Sequence, residues 1–404
     1  MITLSPHSWQ EVPFEHIVED SAFGPRFPGT AYADDGNIAT LRTTDISADG
    51  HISYDTMPLA QLDETTFAKH FLKPGDLVIT RSGRIGTTAI FEGHENQVLP
   101  GAFLIRFRLS EEAYPRFFFY WFNSNLGQQR LLSVARGAAQ QNINITSVKT
   151  LKVPLPPLQT QKSIVAILSA YDDLIENNRR RIQLLEQAAR LLYNEWFVHF
   201  RFPGQEHVKI VNGIPEGWER KVLGDVCFEV RETVSPKVLE PNTPYIGLEH
   251  MPRRSITLCE WAQAEQVTSS KHRFREGEIL FGKIRPYFHK VGIALTDGVA
   301  SSDAIIIRPV SPHLLALILM TTSSDGFVAV TAQQMKEGSK MPRADWKQMQ
   351  QYPFPQPPDG VLRAFDEFIN PILNQLKTLA FLNRWLSTAR DLLLPKLMNG
   401  EVTV

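Results

Sequence analysis

Two long stretches of regularly spaced apolar residues dominate the pattern of this chain. In the first, apolar residues recur at alternating steps of four and three from Ile167 through Leu174 to Trp196. This is the spacing of a coiled-coil seam, and it predicts a helix from about Gln161 to Val198, roughly 55 Å long. A second stretch with the same spacing runs from Val361 to Leu393. Because each helix needs an apolar partner stripe, we expect the two to pair with each other.

Asparagines and prolines modify these two stripes. Asn178 and Asn383 each fall on a predicted seam, where a buried amide fixes the register of two helices at some cost in stability. Pro371 predicts a kink or a restart of the second helix, with Asn370 as the new N-cap. Pro395 predicts the end of that helix.

The region before the first long helix has the pattern of a mixed domain. Short apolar runs of strand length alternate with turn signals rich in Gly, Asp, Asn and Pro. Leu77–Ile79 and Phe103–Ile105 are predicted buried strands, and a helix is predicted from Tyr114 to about Ser133. The region is therefore predicted to be mixed α/β, with β-structure prominent.

The region between the two long helices repeats this pattern about 200 residues later. It contains apolar strands at Glu278–Phe281 and Ala304–Ile307, and an apolar helix from Leu314 to Thr321. Leu104-Ile105-Arg106 aligns with Ile306-Ile307-Arg308, and similar glycine turns precede the strands. Several matches in the same order indicate a duplicated unit, and the period is too long for a solenoid repeat.

Together these patterns predict the fold class and the domain plan. The class is α+β (mixed α/β), with two similar globular domains separated by two long antiparallel helices that form a coiled coil and relate the domains by a pseudo-twofold axis. The predicted boundaries are 1–158 for the first domain, 159–200 for the first spacer helix, 201–213 for a linker, 214–356 for the second domain, 357–395 for the second spacer helix and 396–404 for a C-terminal tail.

Composition is ordinary for a soluble globular protein. Of the 404 residues, 43% are hydrophobic and 21% are charged. The apolar runs are too short to cross a bilayer and the N-terminus does not resemble a secretory signal, so we expect a cytoplasmic protein without a membrane partner. Cys227 and Cys259 lack metal-ligand spacing and are predicted to be reduced structural thiols.

The overall charge does not indicate a nucleic-acid binder, but its distribution is uneven. The chain carries 42 basic and 43 acidic residues, a net charge of −1. Between Lys271 and Lys290, however, six cations accompany only two acidic residues, Glu276 and Glu278. Local clusters of this kind set the field that a phosphate group experiences.

Several motifs resemble the specificity subunits of type I restriction-modification systems. The central spacer of that family is similar to Leu155-Pro156-Pro157-Leu158, Gln161-Lys162, Ile167–Asn178 and Glu195–Val198 of this chain, and its C-terminal spacer is similar to Ala389–Val402. Ile214–Trp218 resembles the start of the second half. The chain departs from the pattern after Phe354–Asp359, where Val361-Leu362 replaces a Gln-Lys pair.

The resemblance implies a function in DNA recognition. Each of the two domains would be a target-recognition domain that reads one half of a bipartite, asymmetric target in double-stranded DNA. Two modification (methyltransferase) subunits would dock on the helices and bring S-adenosylmethionine, and a restriction/translocase subunit would bring Mg²⁺- and ATP-dependent cleavage. The chain itself would hold no cofactor. Paired helices would then set the separation of half-sites about one DNA turn, roughly 34 Å, apart.

Candidate DNA contacts lie in polar loops at matching places of the two domains. Arginine suits guanine edges, either cation suits phosphate, and Gln and Asn suit adenine edges. The alternative is that these are ordinary exposed loop residues. The candidates are Arg81, Ser82, Arg84, Gln140, Gln141 and Asn142 in the first domain, and Lys283, Arg285, Lys290, Lys340 and Arg343 in the second.

No catalytic motif is present, which predicts a non-catalytic subunit. The chain lacks an adenine-methyltransferase loop and a Walker A motif. Asp172, Asp173 and Glu176 are a potential metal cluster, but a solvated or partner-facing role on the helix is favoured. The aromatic run Phe117–Phe122 favours core packing over base stacking.

Two other classes stay open on sequence alone. A scaffold with two binding modules on a coiled-coil spacer would show no salt-dependent affinity for duplex DNA. An enzyme with an unrecognised site would show turnover by the purified chain.

Overall fold

The computed structural model describes residues 9–135, 142–333, 342–402 and 404, which fall into two compact units. Unit 1 comprises Met1–Asp173 and Leu386–Val404, and unit 2 comprises Leu174–Trp385. Each long helix belongs partly to one unit and partly to the other, because both divisions fall within a helix.

Unit 1 has two main sheets. A four-stranded sheet has the order β2-β8-β5-β6, a three-stranded sheet has the order β4-β3-β7, and β1 pairs with β9. The strands are β1 Glu11–Pro13, β2 Val18–Phe23, β3 Ile38–Leu41, β4 Leu59–Ala60, β5 Leu77–Thr80, β6 Thr88–Ile90, β7 Val98–Pro100, β8 Leu104–Leu109 and β9 Lys152–Pro154. The helices are α1 Glu64–Phe67, α2 Pro115–Asn123, α3 Asn125–Ala135, α4 Ile145–Lys149 and the beginning of α5 Leu158–Tyr193.

Unit 2 has the same kind of architecture with longer sheets. One sheet has the order β13-β22-β19-β20-β16, another has the order β14-β18-β21-β15-β17, and β12 pairs with β23. The strands are β10 Ile210–Val211, β11 Ile214–Pro215, β12 Glu219–Val222, β13 Cys227–Val230, β14 Thr233–Val234, β15 Pro244–Ile246, β16 Thr257–Leu258, β17 Ala262–Gln263, β18 Lys271–Phe274, β19 Ile279–Gly282, β20 Val291–Ala294, β21 Gly298–Ala300, β22 Ala304–Pro309 and β23 Pro353–Gln356. The helices are α6 Leu223–Val226, α7 Leu315–Thr322, α8 Asp325–Gln333, α9 Trp346–Met349 and most of α10 Asp359–Met398.

The strand orders confirm the predicted duplication. The run β2-β8-β5-β6 corresponds to β13-β22-β19-β20, and both runs are antiparallel throughout. The parallel pair β3-β7, with β4 antiparallel to β3, corresponds to the parallel pair β15-β21, with β17 antiparallel to β15. The buried strands predicted at Leu77–Ile79 and Glu278–Phe281 are confirmed as β5 and β19.

The structure corrects the alignment of the two copies at one strand. Val78 of β5 pairs with Arg106, whereas Leu280 of β19 pairs with Ile306. Arg108 pairs ionically with Asp76, and Arg308 pairs with Glu278. Arg308 is therefore the counterpart of Arg108, and the sequence match of Arg106 to Arg308 was slipped by two residues. Two residues is one period of a strand, so the apolar pattern alone cannot detect the slip.

The first long helix agrees with its predicted extent. The α-helix Leu158–Tyr193 continues into a π-helical turn, Asn194–Val198. The seam differs in one position, because Leu174 is 53% exposed whereas Ile175 is buried. A repeat of 3.5 residues drifts against the 3.6-residue turn of the helix, and the buried stripe follows the turn.

The second long helix is continuous, so the predicted restart at Pro371 with Asn370 as N-cap and the predicted end at Pro395 were wrong. The helix Asp359–Met398 passes through Pro371 and Asn370 without a new N-cap, and it ends after Pro395. Each proline lacks the backbone N–H that would donate to the carbonyl group four residues earlier. Those carbonyl groups belong to Glu367 and Asp391, which are exposed residues. Water can bind those carbonyl groups, which allows the helix to continue.

In unit 2 the two long helices pack against each other in antiparallel directions. Asn178 Nδ2 donates to Asn383 Oδ1 at 2.9 Å, and Trp196 lies 5.7 Å from Phe365 between ring centroids. Position 178 thus meets 383 while the later position 196 meets the earlier 365. The predicted pairing and the placement of both asparagines on the seam are confirmed.

None of the described helices is by itself long and apolar enough to span a membrane; Pro312–Thr322 and Asp325–Gln333 reach the required length and apolarity only together, with a bend of 65° between them.

Candidate DNA interface

The loop after β5 in unit 1 carries two of the predicted contacts. Gly83 and Gly86 adopt left-handed backbone conformations, with φ of 75° and 83°. The Thr80 hydroxyl donates to the Arg84 carbonyl group within the loop. The Arg81 guanidinium group lies over the Phe23 ring at 4.6 Å, while Arg84 is exposed. The loop therefore has a defined shape that presents Arg84 to solvent.

A second predicted stretch of unit 1 joins this loop. The Ile143 N–H donates to the Arg81 carbonyl group at 3.3 Å, which places Asn142 beside the loop. Ser82 is partly exposed next to Arg81. Gln140 and Gln141 lie outside the described residues. The structure thus brings together residues that are about 60 positions apart in the sequence.

Unit 2 repeats this junction at the corresponding place. The Ala344 N–H donates to the Lys283 carbonyl group at 2.8 Å, and the Arg285 N–H donates to Pro342 at 2.9 Å. Arg343 is exposed next to this bridge and lies 3.4 Å from Asp303. Lys340 lies outside the described residues. Both units therefore join the loop after the central strand to the segment before a short helix.

The loop of unit 2 holds its shape without glycine. Arg285 and His289 occupy the places of Gly83 and Gly86 with φ of 49° and 55°. Left-handed backbone at a non-glycine residue costs of order 1–3 kcal/mol and tends to occur at functional sites. The His289 ring stabilises this turn through a 2.7 Å hydrogen bond between Nε2 and the Ser323 carbonyl group. Burial lowers the pKa of His289, which favours the neutral ring.

This strained loop presents residues that the sequence analysis missed. Tyr287 is 53% exposed at its tip, and the exposed Arg253 stacks on Phe288 with its guanidinium carbon 4.1 Å from the ring centroid. An exposed aromatic ring among arginines is suited to contact with a nucleic acid. The loop's predicted Arg285 is also exposed. Nothing in the spacing of Tyr287 distinguished it from a core aromatic residue.

Two predicted contacts point into the fold. Lys283 Nζ donates to the Ser302 carbonyl group at 3.0 Å, and Lys290 Nζ donates to that of Leu248 at 2.5 Å. Burial lowers the pKa of both ammonium groups. These bonds hold the loop in place, so a phosphate contact by either lysine would have to replace one of them.

The other weighed residues have structural partners in unit 1. Phe117, Phe118 and Phe122 are fully buried, which confirms core packing of the aromatic run. Asp172 accepts hydrogen bonds from Tyr120 at 2.5 Å and from Arg390 at 2.6 Å. Asp172 is therefore engaged within its unit instead of being solvated, because Arg390 reaches it from the end of the second long helix.

Comparison with known proteins relates the first part of the chain to one family model and the chain to several curated proteins. Residues 6–187 match the family model of the type I restriction modification DNA specificity domain. The type I restriction enzyme MjaIX specificity subunit of Methanocaldococcus jannaschii is 24% identical over 309 residues, which cover 71% of this chain and 69% of that protein. The EcoKI specificity subunit of Escherichia coli K12 is 30% identical over 146 residues, or 34% of this chain and 31% of that subunit.

A solved structure shows the same fold over nearly the whole length. The crystal structure of a type I restriction-modification S subunit from M. genitalium has a TM-score of 0.55 at 16% sequence identity and covers 98% of both chains. The likeness extends beyond the family-model match, through the second unit and α10. The family model over residues 6–187 and the curated relatives both indicate a type I restriction-modification specificity subunit, and the solved structure shows that this fold extends over nearly the whole chain.

Proposed function

We propose that each unit reads one half of a bipartite target in double-stranded DNA through the joined loops described above. The observation that supports this is the repeated backbone bridge, Ile143 to Arg81 in unit 1 and Ala344 to Lys283 in unit 2. In unit 1 it links segments that carry Arg81, Arg84 and Asn142, and in unit 2 it links segments that carry Arg285 and Arg343. A duplicated surface of this kind suits a target with two separately read halves.

Within unit 2 the arginines and Tyr287 are proposed to make different kinds of contact with DNA. Arg285 and Arg343 can donate to guanine edges or to phosphates, and the exposed Tyr287 ring can pack against sugar or base. The strained backbone at Arg285 and His289 holds the loop ready before DNA arrives. Because such a loop is already ordered, DNA binding costs it less conformational entropy and the affinity is higher.

The purified chain provides the first test. Arg285→Ala and Arg343→Ala should each weaken binding to duplex DNA about tenfold in a fluorescence-anisotropy titration, because each removes a charge-assisted hydrogen bond. If the lost contact is to phosphate, the slope of log K against log salt should fall by about 0.9. Lys237→Ala removes an equally exposed cation outside the loops and should change neither quantity. Equal losses in all three variants would contradict the assignment.

The long helices are proposed to dock modification subunits. In unit 2 the helices expose Leu191 at 66% and Trp385 at 68%, and Trp is a residue type enriched at protein–protein interfaces. Leu191→Ser and Trp385→Ser should abolish co-elution of the chain with its modification subunit in size-exclusion chromatography. Gln187→Ser, on the same helix and also exposed, should co-elute like the unmodified chain.

The chain is proposed to be non-catalytic and to act in the cytoplasm. S-adenosylmethionine, and Mg²⁺ and ATP for restriction, would be bound by partner subunits. The purified chain should then transfer no methyl group to DNA, and activity should appear on mixing with modification subunits. Methyl transfer by the chain alone would overturn this assignment. The alternative of a scaffold that does not bind nucleic acid is not favoured by the family, and the absence of any salt-dependent affinity for duplex DNA would revive it.

A further inference from the structure

Unit 1 contains a cationic cavity beside strands β2 and β8. Its volume is about 480 Å³, and its charged and polar lining consists of Asp20, Lys69, His70, Lys73, Arg106 and Arg108. Lys69 and Lys73 are exposed at its rim, whereas Arg106 is only 1% exposed. The four cations outnumber the carboxylates that act on them, which are Asp20, Asp76 and Glu19.

The buried arginine is only partly satisfied by the protein. Arg106 Nη2 donates to Asp20 at 2.7 Å and more weakly to the Lys69 carbonyl group at 3.4 Å. Its Nε and Nη1 atoms are buried and have no hydrogen-bond partner among the described residues, and His70 Nδ1 is in the same situation. Asp76, which lies 4.0 Å from Nη1, is instead engaged by Arg108 through two hydrogen bonds. Buried donors without acceptors are costly, so they call for an explanation.

The matching position of the duplicated unit is apolar. Strand pairing places Arg106 opposite Ala22, and the same position of unit 2 is Ile306 opposite Val230. Asp20 likewise corresponds to Phe228, because Asp20 pairs with Arg108 and Phe228 pairs with Arg308. Replacing a buried ion pair with apolar residues is often neutral or stabilising. A role in folding therefore does not account for the Arg106 ion pair.

We infer that this cavity is a binding site for a phosphoryl anion. A planar guanidinium group and two mobile ammonium groups suit the several oxygens of a phosphoryl group, and the anion would satisfy donors that the protein leaves without acceptors. The site lies at the Asp76 end of β5, whereas the Arg81 loop follows its Thr80 end. The occupant is either a free phosphorylated molecule or a phosphate of a nucleic-acid backbone, which share this chemistry.

Isothermal titration of the full chain with pyrophosphate, at ionic strength held constant with sodium chloride, tests the inference without DNA. We expect saturable binding, a loss of about tenfold or more in Lys69→Ala/Lys73→Ala, and loss of binding in Arg106→Ile. The double variant changes only exposed side chains and should stay folded, while Arg106→Ile carries the residue that unit 2 has at this place. Lys152→Ala, another exposed lysine of unit 1, should bind like the unmodified chain.

A second titration, with duplex DNA, identifies the source of the phosphoryl group. If the occupant is a backbone phosphate, Lys69→Ala/Lys73→Ala should lower the salt slope by about one or two, and pyrophosphate should compete with DNA. If the occupant is a free molecule, DNA binding should stay unchanged while pyrophosphate binding is lost. Absence of saturable pyrophosphate binding together with an unchanged salt slope overturns the inference. The pyrophosphate titration contains no DNA, so its result does not depend on the proposed function.

Discussion

The contact between Asp172 and Arg390 gives the sharpest stability prediction, because it fastens the end of α10 within unit 1. Asp172 is 27% exposed and Arg390 is 21% exposed, and Tyr120 donates a further hydrogen bond to the same carboxylate. Burial and the charge of Asp172 both raise the pKa of Tyr120, which keeps the phenol protonated as the donor. Asp172→Asn removes the charge and leaves one acceptor for two donors.

The expected loss follows from these contacts. Hydrogen bonds to charged groups contribute about 1.5–3 kcal/mol, and partial exposure together with the remaining contact of Arg390 with Asp391 reduces the net effect to about 2–3 kcal/mol. We expect urea unfolding to show this loss, and hydrogen exchange to show faster opening of Leu386–Met398. Asp173→Asn removes an equally charged but exposed neighbour and should cost less than about 0.5 kcal/mol. Equal effects of the two variants would refute the reasoning.

Three further predictions concern unit 2. Glu186→Ala should destabilise the unit by about 3 kcal/mol in urea unfolding, because its carboxylate accepts the backbone N–H groups of Ile256 and Thr257 and no acceptor would replace it. His289→Asn should reduce the stability that the protein loses on acidification. Burial lowers the pKa of His289 in the folded state. The neutral ring therefore contributes to folding stability above about pH 6.5, and this contribution is lost as the pH falls through the lower folded-state pKa. A pH series of thermal unfolding that is unchanged by His289→Asn would contradict this. Asn178→Leu alone should destabilise the helix pair by about 1 kcal/mol, because it leaves the Asn383 amide without its partner. The double variant Asn178→Leu/Asn383→Leu should recover that loss in a double-mutant cycle. Additive losses would show that the two amides do not interact.

The helices and the central strands could be predicted from sequence because each depends on a local period. The stripe from Ile167 to Trp196 required only its steps of four and three residues, and β5 and β19 are uninterrupted apolar runs. The continuity of α10 could not be predicted in this way. Whether Pro371 breaks a helix depends on the exposure of the carbonyl group it leaves, which a local rule does not contain.

The site was predicted only in part because its formation depends on long-range contacts. Arg84, Arg285 and Arg343, which are exposed in the joined loops, could be proposed from the sequence because charged residues in loops are visible there. The Lys283 side chain points inward because it donates to the Ser302 carbonyl group, which is distant in the sequence. The sequence does not distinguish such a lysine from one that binds phosphate. The buried Arg106 was missed because its strand register only became apparent from the pairing with Val78.

The most direct test of the account is a map of methylated adenines in cells that express this chain with its modification subunit. The unmodified chain should give a bipartite motif with an unspecified gap. A chimera in which residues 214–356 are replaced by the corresponding domain of a relative should change one half of that motif and leave the other half and the gap unchanged. A change in both halves, or a motif that stays the same, would contradict the assignment of one half-site to each unit.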